Sequence, residues 1–226
     1  FETQIEAEEF ALETADLVIA HTQQDVEQKY GLYHGCLPER MEVIAPGVEL
    51  SAYRPPAEQP AALAGPVKTA LARFLAEPER PMILAVNRPD EYQNLESLVE
   101  VYGQSKPLRQ AANLVLLMGP RNDLREMPPV QRKVLSELFV LIDVHDLYGR
   151  VAHPKTLSAE HNPEAFRLAA ASGGVLVNPA LTEPLGFALM EAAASGLPVV
   201  AADNGAHQAV LAHCLHGLPV DPYDPA

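Results

Sequence analysis

Glu183 and Glu191 stand eight positions apart, with Gly186 between them, in the stretch NPALTEPLGFALMEAAASGLPVVAADNG that runs from Asn178 to Gly205. A plain core segment has no use for paired carboxylates. Each carboxylate can accept strong, charge-assisted bonds from hydroxyls such as those of a sugar. Gly186 lets main chain approach a ligand closely. The amides of Leu185, Gly186 and Phe187 open a helix, where unpaired N–H groups and the helix dipole favour an anion such as phosphate. Taken singly these signals are weak, since a helical glutamate is usually solvated and a proline such as Pro184 in the first turn is ordinary. Amides for phosphate together with carboxylates for hydroxyls describe a nucleotide-sugar site.

Such a site needs elements to hold it. From Pro81 onward short apolar runs alternate with helical patterns. PMILAVN, NLVLLMG, YGRVAH, GVLVNPA and LPVVAAD read as strands; NLESLVEVYGQS, PPVQRKVLSELFVLIDVHD, NPEAFRLAAAS and PLGFALMEAAASG read as helices, and NGAHQAVLAHCLHG closes the series. This alternation predicts an α/β, Rossmann-like parallel sheet with helices on both faces. In such sheets ligands bind beyond the carboxyl ends of the strands. Glu183 then lies in the loop after GVLVN, with Glu191 two helical turns on and on roughly the same face. Upstream, Ile5 to Thr14 reads as a helix, Leu17 to Ala20 as a short buried strand, and TQQDVEQKYGLY as a helix capped by Thr22 with Asp25 in its first turn. RMEVIAPGVELSAYRPP reads as a strand, a turn and a linker, and Pro55 to Pro66 as a hinge rich in Pro and Ala.

The 226 residues are 48% hydrophobic and 20% charged, which predicts a folded chain of one large domain or one domain plus part of another. A net charge of −14 argues against nucleic-acid and anionic-membrane binding, but not against a small anion held by local amides. Two cysteines, Cys36 and Cys214, are too few for a disulfide framework and read as small buried hydrophobes in a cytoplasmic protein. No apolar run approaches the ~20 residues of a membrane span. GxGxxG and GxxxxGK are both absent, against a dehydrogenase or a nucleoside triphosphatase. His145, His153 and His161 match no compact metal-ligand spacing, and no metal or other cofactor is expected. The first residue is Phe1, already in a helical pattern, and the expectation is a fragment of a longer protein.

The two-glutamate stretch resembles the donor-site signature of retaining glycosyltransferases of the GT-B fold. QIEAEEFALETADLVIAHTQQDVEQKYGLYHG, MILAVNRPD, LRQAANLVLLMG, LIDVHDLYGRVAHPK and EAFRLAAASGGVLVNPA extend the likeness over nearly the whole chain, toward sucrose-phosphate synthases. DLYGRVAHPK and NPALTEPLGFALMEAA are more similar to that subgroup than to sucrose synthases. The resemblance implies two Rossmann-like domains with the active site between them: residues 1–54 would be the end of the acceptor domain and the linker, and 55–226 the donor domain, truncated at its C-terminus. It implies transfer of glucose from UDP-glucose to fructose 6-phosphate with retention, the acceptor bound through an N-terminal domain outside the chain. Glu183 would contact the glucose hydroxyls and stabilise charge near the anomeric carbon. Leu185, Gly186 and Phe187 would offer amides to sugar and phosphate, and Glu191 would accept from the ribose hydroxyls. Arg88 would bind the diphosphate and offset the charge on departing UDP. Main chain around Arg150 and Val151 would hold the uracil.

The chain departs from the family in loops at the expected cleft. Gln93 stands where the family has a diphosphate-binding lysine, NGGP reads NGAH from Asn204 to His207, and Thr156 and Leu157 replace histidines. A glutamine cannot neutralise a leaving phosphate, and losing a positioned charge there costs about 3 kcal/mol. The chain alone is expected to transfer no glucose. Two other readings stay open: a relative with another donor or acceptor, sucrose synthase-like for instance, and a degenerate domain that binds a UDP-sugar or a partner without turnover.

Overall fold

The computed structural model describes residues 2–56, 65–214 and 216–224, arranged as two compact units divided after Gly47. The hinge expected at Pro55 to Pro66 falls largely on residues 57–64, outside the described ones.

The first unit holds helix α1 (Glu2–Thr14) and two short parallel strands, β1 (Val18–Ala20) and β2 (Met41–Val43), with Ile19 opposite Glu42. Thr22 and Asp25 cap the next helical segment as expected: the Thr22 hydroxyl and amide reach the Asp25 carboxylate at 2.9 and 3.1 Å, and Asp25 N–H returns to the hydroxyl at 3.0 Å. That segment is a π-helical turn, Asp25–Lys29, tightening into a 3-10 turn, Tyr30–Leu32. The strand expected to be buried is only partly so. Ala20 is buried, while Leu17 and Ile19 are about half exposed, because a two-stranded sheet leaves one face to solvent.

The second unit is the predicted α/β sheet. Its strands are β3 (Met82–Val86), β4 (Asn113–Leu117), β5 (Val151–Ala152), β6 (Val175–Asn178), β7 (Val199–Ala202) and β8 (Gly217–Val220). All pairings are parallel and the order is β5-β4-β3-β6-β7-β8. Asn113-Leu-Val-Leu-Leu117 is buried at every position, the pattern of a central strand covered on both sides. Helices α2 (Pro66–Ala72), α6 (Asn162–Ala171), α7 (Phe187–Ala194) and α8 (Gly205–Leu211) cover one face around Leu84, Phe166, Leu176 and Leu189. Helices α3 (Leu95–Gln104) and α5 (Pro129–Val144) cover the other around Leu114, Leu116, Tyr102 and Leu138. A short helix, α4 (Lys106–Ala111), follows α3, its first turn capped by the Ser105 hydroxyl. Each burial of a large apolar side chain contributes about 1.5–3 kcal/mol, so these two cores hold the helices against both faces of the sheet.

Three elements escaped the sequence pattern. Helices α2 and α4 are only 7 and 6 residues long, too short for their periodicity to show. Strand β8 contains Pro219, which a sheet accepts only where its missing N–H is harmless, and β8 lies at one edge of the sheet.

Chain order runs outward from β3 through β4 to β5, then returns and runs the other way from β6 through β7 to β8. The reversal sets a crevice between β3 and β6 at their carboxyl ends. Among the described residues no helix is long and apolar enough to cross a membrane.

Candidate functional site

The loops that leave β3, β6 and β7 are laced together at that crevice by asparagines. Asn87, buried just past β3, donates from its side-chain amide to Gln93 Oε1 at 2.6 Å and to Asn178 Oδ1 at 3.0 Å. Asn178 ends β6 and its Oδ1 also accepts from Ala180 N–H at 3.2 Å. Asn94 takes a left-handed conformation (φ 52°) to start α3 and donates to the carbonyls of Pro179 and Pro222. Asn204, past β7, donates to the carbonyls of Ala180 and Leu181 at 3.2 and 3.0 Å. Leu181 N–H meets Tyr92 O at 2.8 Å, joining the Arg88 loop directly to the Glu183 loop. Sequence reasoning missed these residues, although the signal was there: VN, VN and DN close three of the central strands at Asn87, Asn178 and Asn204.

Glu183 caps its own turn. Its Oε1 accepts from Leu185 N–H at 3.3 Å and Gly186 N–H at 3.2 Å, and its carbonyl accepts from Ala206 N–H at 3.0 Å. The amides of Leu185 and Gly186, expected to face an anion directly, are thus already held by a carboxylate at the start of α7, where the helix dipole favours negative charge. Oε2 is left for donors outside the turn. Two glycines make this geometry possible. Gly186 has φ +67°, and Gly205 has φ +52° with a would-be Cβ only 2.9 Å from Glu183 O. Phe187, the first residue of α7, is exposed.

Beneath this turn lies His207, fully buried on α8. Its Nδ1 stands 3.2 Å from Ala202 O, and a carbonyl can only accept, so Nδ1 carries the proton and Nε2 is a lone-pair acceptor. Nε2 is buried without a partner among the described residues. Burial holds the imidazole below its usual pKa, against the opposing pull of Glu183.

Arg88 stands exposed on the loop after β3 and lines a cavity of about 200 Å³ with Asn87, Gly119, Ser158 and Asn162. The cavity opens at the carboxyl ends of β3 and β4, and Asn162 is the first residue of α6. A guanidinium opposite a helix N-terminus suits an anion. Gln93 is half-buried and turned to Asn87. Leu157, one of the positions where family histidines are replaced, is buried in the wall.

The expectation for Arg150 and Val151 changes in the structure. Val151 is 3% exposed and sits level with Leu114, three residues short of the end of β4, which is about 10 Å below the rim. Its N–H bonds Leu147 O and the Arg150 carbonyl accepts from Leu114 N–H, so this main chain is committed to the sheet and does not reach the crevice. Glu183 lies in the loop ahead of α7, as expected, and Glu191 lies in the second turn of that helix. Burial raises the pKa of Glu191, and the Tyr53 hydroxyl opposes the rise.

The part of the chain after β5 that does reach the rim is held by Arg121, which the sequence reading passed over. Its guanidinium donates to His153 O at 2.9 Å and Pro154 O at 3.5 Å, and its N–H reaches Lys155 O at 2.9 Å. His153 is packed between the rings of Phe74 and Phe139, with centroids 4.7 and 5.0 Å away. Burial depresses the pKa of both Arg121 and His153. Cys36 and Cys214, expected to be buried, are half-buried free thiols. Among the described residues no three His, Cys, Asp or Glu converge as metal ligands.

Comparison with known proteins follows this geometry. The family model "Glycosyl transferases group 1" matches residues 67–226. The chain is 40% identical over 254 residues to probable sucrose-phosphate synthase 1 of Oryza sativa, covering 97% of this chain and 23% of that protein. It is 38% identical over 257 residues to sucrose-phosphate synthase 4 of Arabidopsis thaliana, covering 97% and 24%. The chain thus spans about a quarter of the length of the curated relatives it matches. Among solved structures, the sucrose-phosphate synthase of Thermosynechococcus elongatus superposes with a TM-score of 0.76 at 26% identity, over 100% of this chain and 50% of that one. HepE of Anabaena, in complex with UDP and glucose, superposes with a TM-score of 0.71 at 21% identity, over 99% and 54%. A doubly covered parallel sheet, a loop crevice at its point of reversal and a family match across residues 67–226 place this chain in the group 1 glycosyl transferases, with the GT-B fold.

Proposed function

We propose that the chain is the nucleotide-sugar half of a retaining glucosyltransferase of sucrose-phosphate synthase type, which moves glucose from UDP-glucose to fructose 6-phosphate. The observation that carries this reading is the joined pair of loops at the β3–β6 crevice, one bearing Arg88 and the other the self-capped Glu183. The sucrose-phosphate synthase relatives point to the acceptor, and HepE, bound to UDP and glucose, shares the fold.

In this reading Arg88 binds the diphosphate at the cavity lip and offsets the charge that develops on departing UDP. Glu183 Oε2 accepts from the glucose hydroxyls while Oε1 keeps the turn rigid, so the carboxylate is preorganised rather than ordered by the ligand. Glu191 accepts from the ribose hydroxyls. The chemistry uses no metal or organic cofactor. Residues 1–54 comprise the end of an acceptor domain, which carries the fructose 6-phosphate site, and the interdomain linker, and residues 55–226 form the donor domain. The protein works in the cytoplasm.

Calorimetry of this chain with UDP and UDP-glucose tests the reading. Binding is expected in the parent and at least tenfold loss in Arg88→Ala; UDP-glucose binding that is indifferent to both Arg88→Ala and Glu183→Ala refutes it. The chain alone is expected to yield no sucrose 6-phosphate, and the activity to return when it is joined to its acceptor domain.

One observation favours a second reading, a domain that binds UDP-sugar without turnover. Gln93 is a structural partner of Asn87, where the family's lysine would reach the diphosphate. A joined, folded protein that binds UDP-glucose yet transfers glucose to no acceptor decides for it.

A further inference from the structure

Three side chains at the crevice form a hydrogen-bonded chain whose direction the main chain dictates. Ala180 N–H can only donate, so the Asn178 atom 3.2 Å from it is Oδ1. Oδ1 can only accept, so the Asn87 atom 3.0 Å away is its amide nitrogen. Both protons of that nitrogen are then placed, one on Asn178 and one on Gln93, which must turn its Oε1 toward Asn87 at 2.6 Å. Gln93 Nε2 keeps two N–H donors: it has no partner among the described residues and is not buried. Asn87 cannot turn over, because its Oδ1, buried without a partner, would then oppose Asn178 Oδ1.

The loop that carries Gln93 is poor in positive charge. From Arg88 to Gln93 it has one cation, Arg88, and two carboxylates, Asp90 and Glu91. Glu91 is exposed, and Asp90 Oδ1 caps the turn by accepting Tyr92 N–H at 2.9 Å. Arg88 and Asn87 line one cavity, and Gln93 is the next side chain on from Asn87.

We propose that Gln93 is a specificity-determining residue, locked by Asn87 into offering a neutral donor, so that the site holds a nucleoside diphosphate sugar and lets go of the more highly charged nucleoside diphosphate. The inference rests on the reading of Arg88 as the diphosphate binder. Transfer breaks the bond from the anomeric carbon to the terminal phosphate oxygen, and the electron pair stays on that oxygen. The acceptor hydroxyl oxygen bonds the carbon, and its proton leaves to solvent. With its phosphate fully ionised, the departing nucleotide carries one more negative charge than the donor did. A second cation would respond strongly to that charge, whereas a neutral N–H responds far less. Asp90 and Glu91 repel it. Asn87 is the positioning residue: without it Gln93 is free to turn Oε1 to the phosphate, and a carbonyl oxygen repels an anion.

UDP and UDP-glucose titrated calorimetrically at about pH 8 into the parent chain and its variants test this. Gln93→Met keeps the length, removes the donor and is expected to weaken both ligands about tenfold. Gln93→Lys is expected to tighten UDP at least about threefold more than UDP-glucose. Asn87→Ala is expected to weaken both about threefold, and to add nothing in the Gln93→Met background, because its effect runs through Gln93. A purely structural Asn87 would weaken binding equally in both backgrounds, and that result overturns its role. The two Gln93 variants decide the role of Gln93 even where Asn87→Ala does not fold. Arg88→Ala tests the underlying reading: if it binds both ligands like the parent, the diphosphate assignment fails and this inference fails with it. If Arg88→Ala weakens binding while Gln93→Met does not, only the role of Gln93 is overturned. Gains in Gln93→Lys that are equal for the two ligands, or larger for UDP-glucose, overturn the discrimination by charge.

Discussion

Replacing Gln93 by lysine tests whether the crevice is built for a diphosphate. Gln93 ends the 3-10 turn Glu91–Gln93 and gives its Oε1 to Asn87 at 2.6 Å. Lysine cannot accept that bond, and the loss costs about 1 kcal/mol. The Asn87 amide nitrogen is not orphaned, because it also donates to Asn178 Oδ1 at 3.0 Å. The fold is therefore expected to survive with a midpoint lowered by about 2–4 °C. The flexible four-carbon stem lets the ammonium pass Asn87 toward the rim where Arg88 stands. There a charge-assisted bond to a phosphate oxygen is worth about 1.5–3 kcal/mol, reduced by repulsion between two cations on one loop. A net gain of about 1–2 kcal/mol corresponds to UDP binding roughly 5- to 30-fold tighter. Calorimetry at low salt reads the affinity, and a repeat at about 1 M salt reads its origin, since screening must shrink a gain that is electrostatic. Equal affinity in a folded variant refutes the reasoning. So does a gain untouched by salt, which would come from packing rather than charge.

Other substitutions probe the supports of the site. Gly205→Ala puts a Cβ 2.9 Å from Glu183 O at φ +52°, and is expected to destabilise by at least about 1–2 kcal/mol, visible as a lower midpoint in thermal melts; an unchanged midpoint contradicts the close approach. Phe166→Ala empties a fully buried position against Tyr53 and is expected to cost about 3–5 kcal/mol in denaturant unfolding. His207 is buried neutral with a depressed pKa, so its contribution is complete above the ordinary imidazole range and is lost as pH falls from there through the folded value. Thermal melts between about pH 7.5 and about pH 5 should show a steeper acid loss for the parent than for His207→Leu; parallel curves refute the assignment.

The sheet was legible because it is covered on both faces. Runs such as Leu114 to Leu117 are apolar throughout, and helices of 8 to 16 residues separate the strands from β3 to β7, so the alternation and the class could be read off. The short elements were not legible, since 6 or 7 residues carry too little periodicity. The candidate site was legible as residue types: Arg88, Glu183, Gly186 and Glu191 all sit on loops or helix starts around the crevice or one turn below it. Their partners were not. That Asn87 would donate to Asn178, 91 positions on, and that Leu181 N–H would meet Tyr92 O are contacts between segments whose separation in sequence carries no signal.

The amino-acid order by itself determined the alternation of strand and helix, the glycines at Gly186 and Gly205, and the supply of acids, amides and one arginine near strand ends. Only tertiary structure decided which of these groups face one another. Val151 shows the difference: its distance along the chain from the rim is two or three residues, but the register of β5 against Leu114 sets it in the sheet interior. Period and composition act locally along the chain, whereas register and packing depend on the burial of two faces at once, and that is settled only when the whole sheet closes.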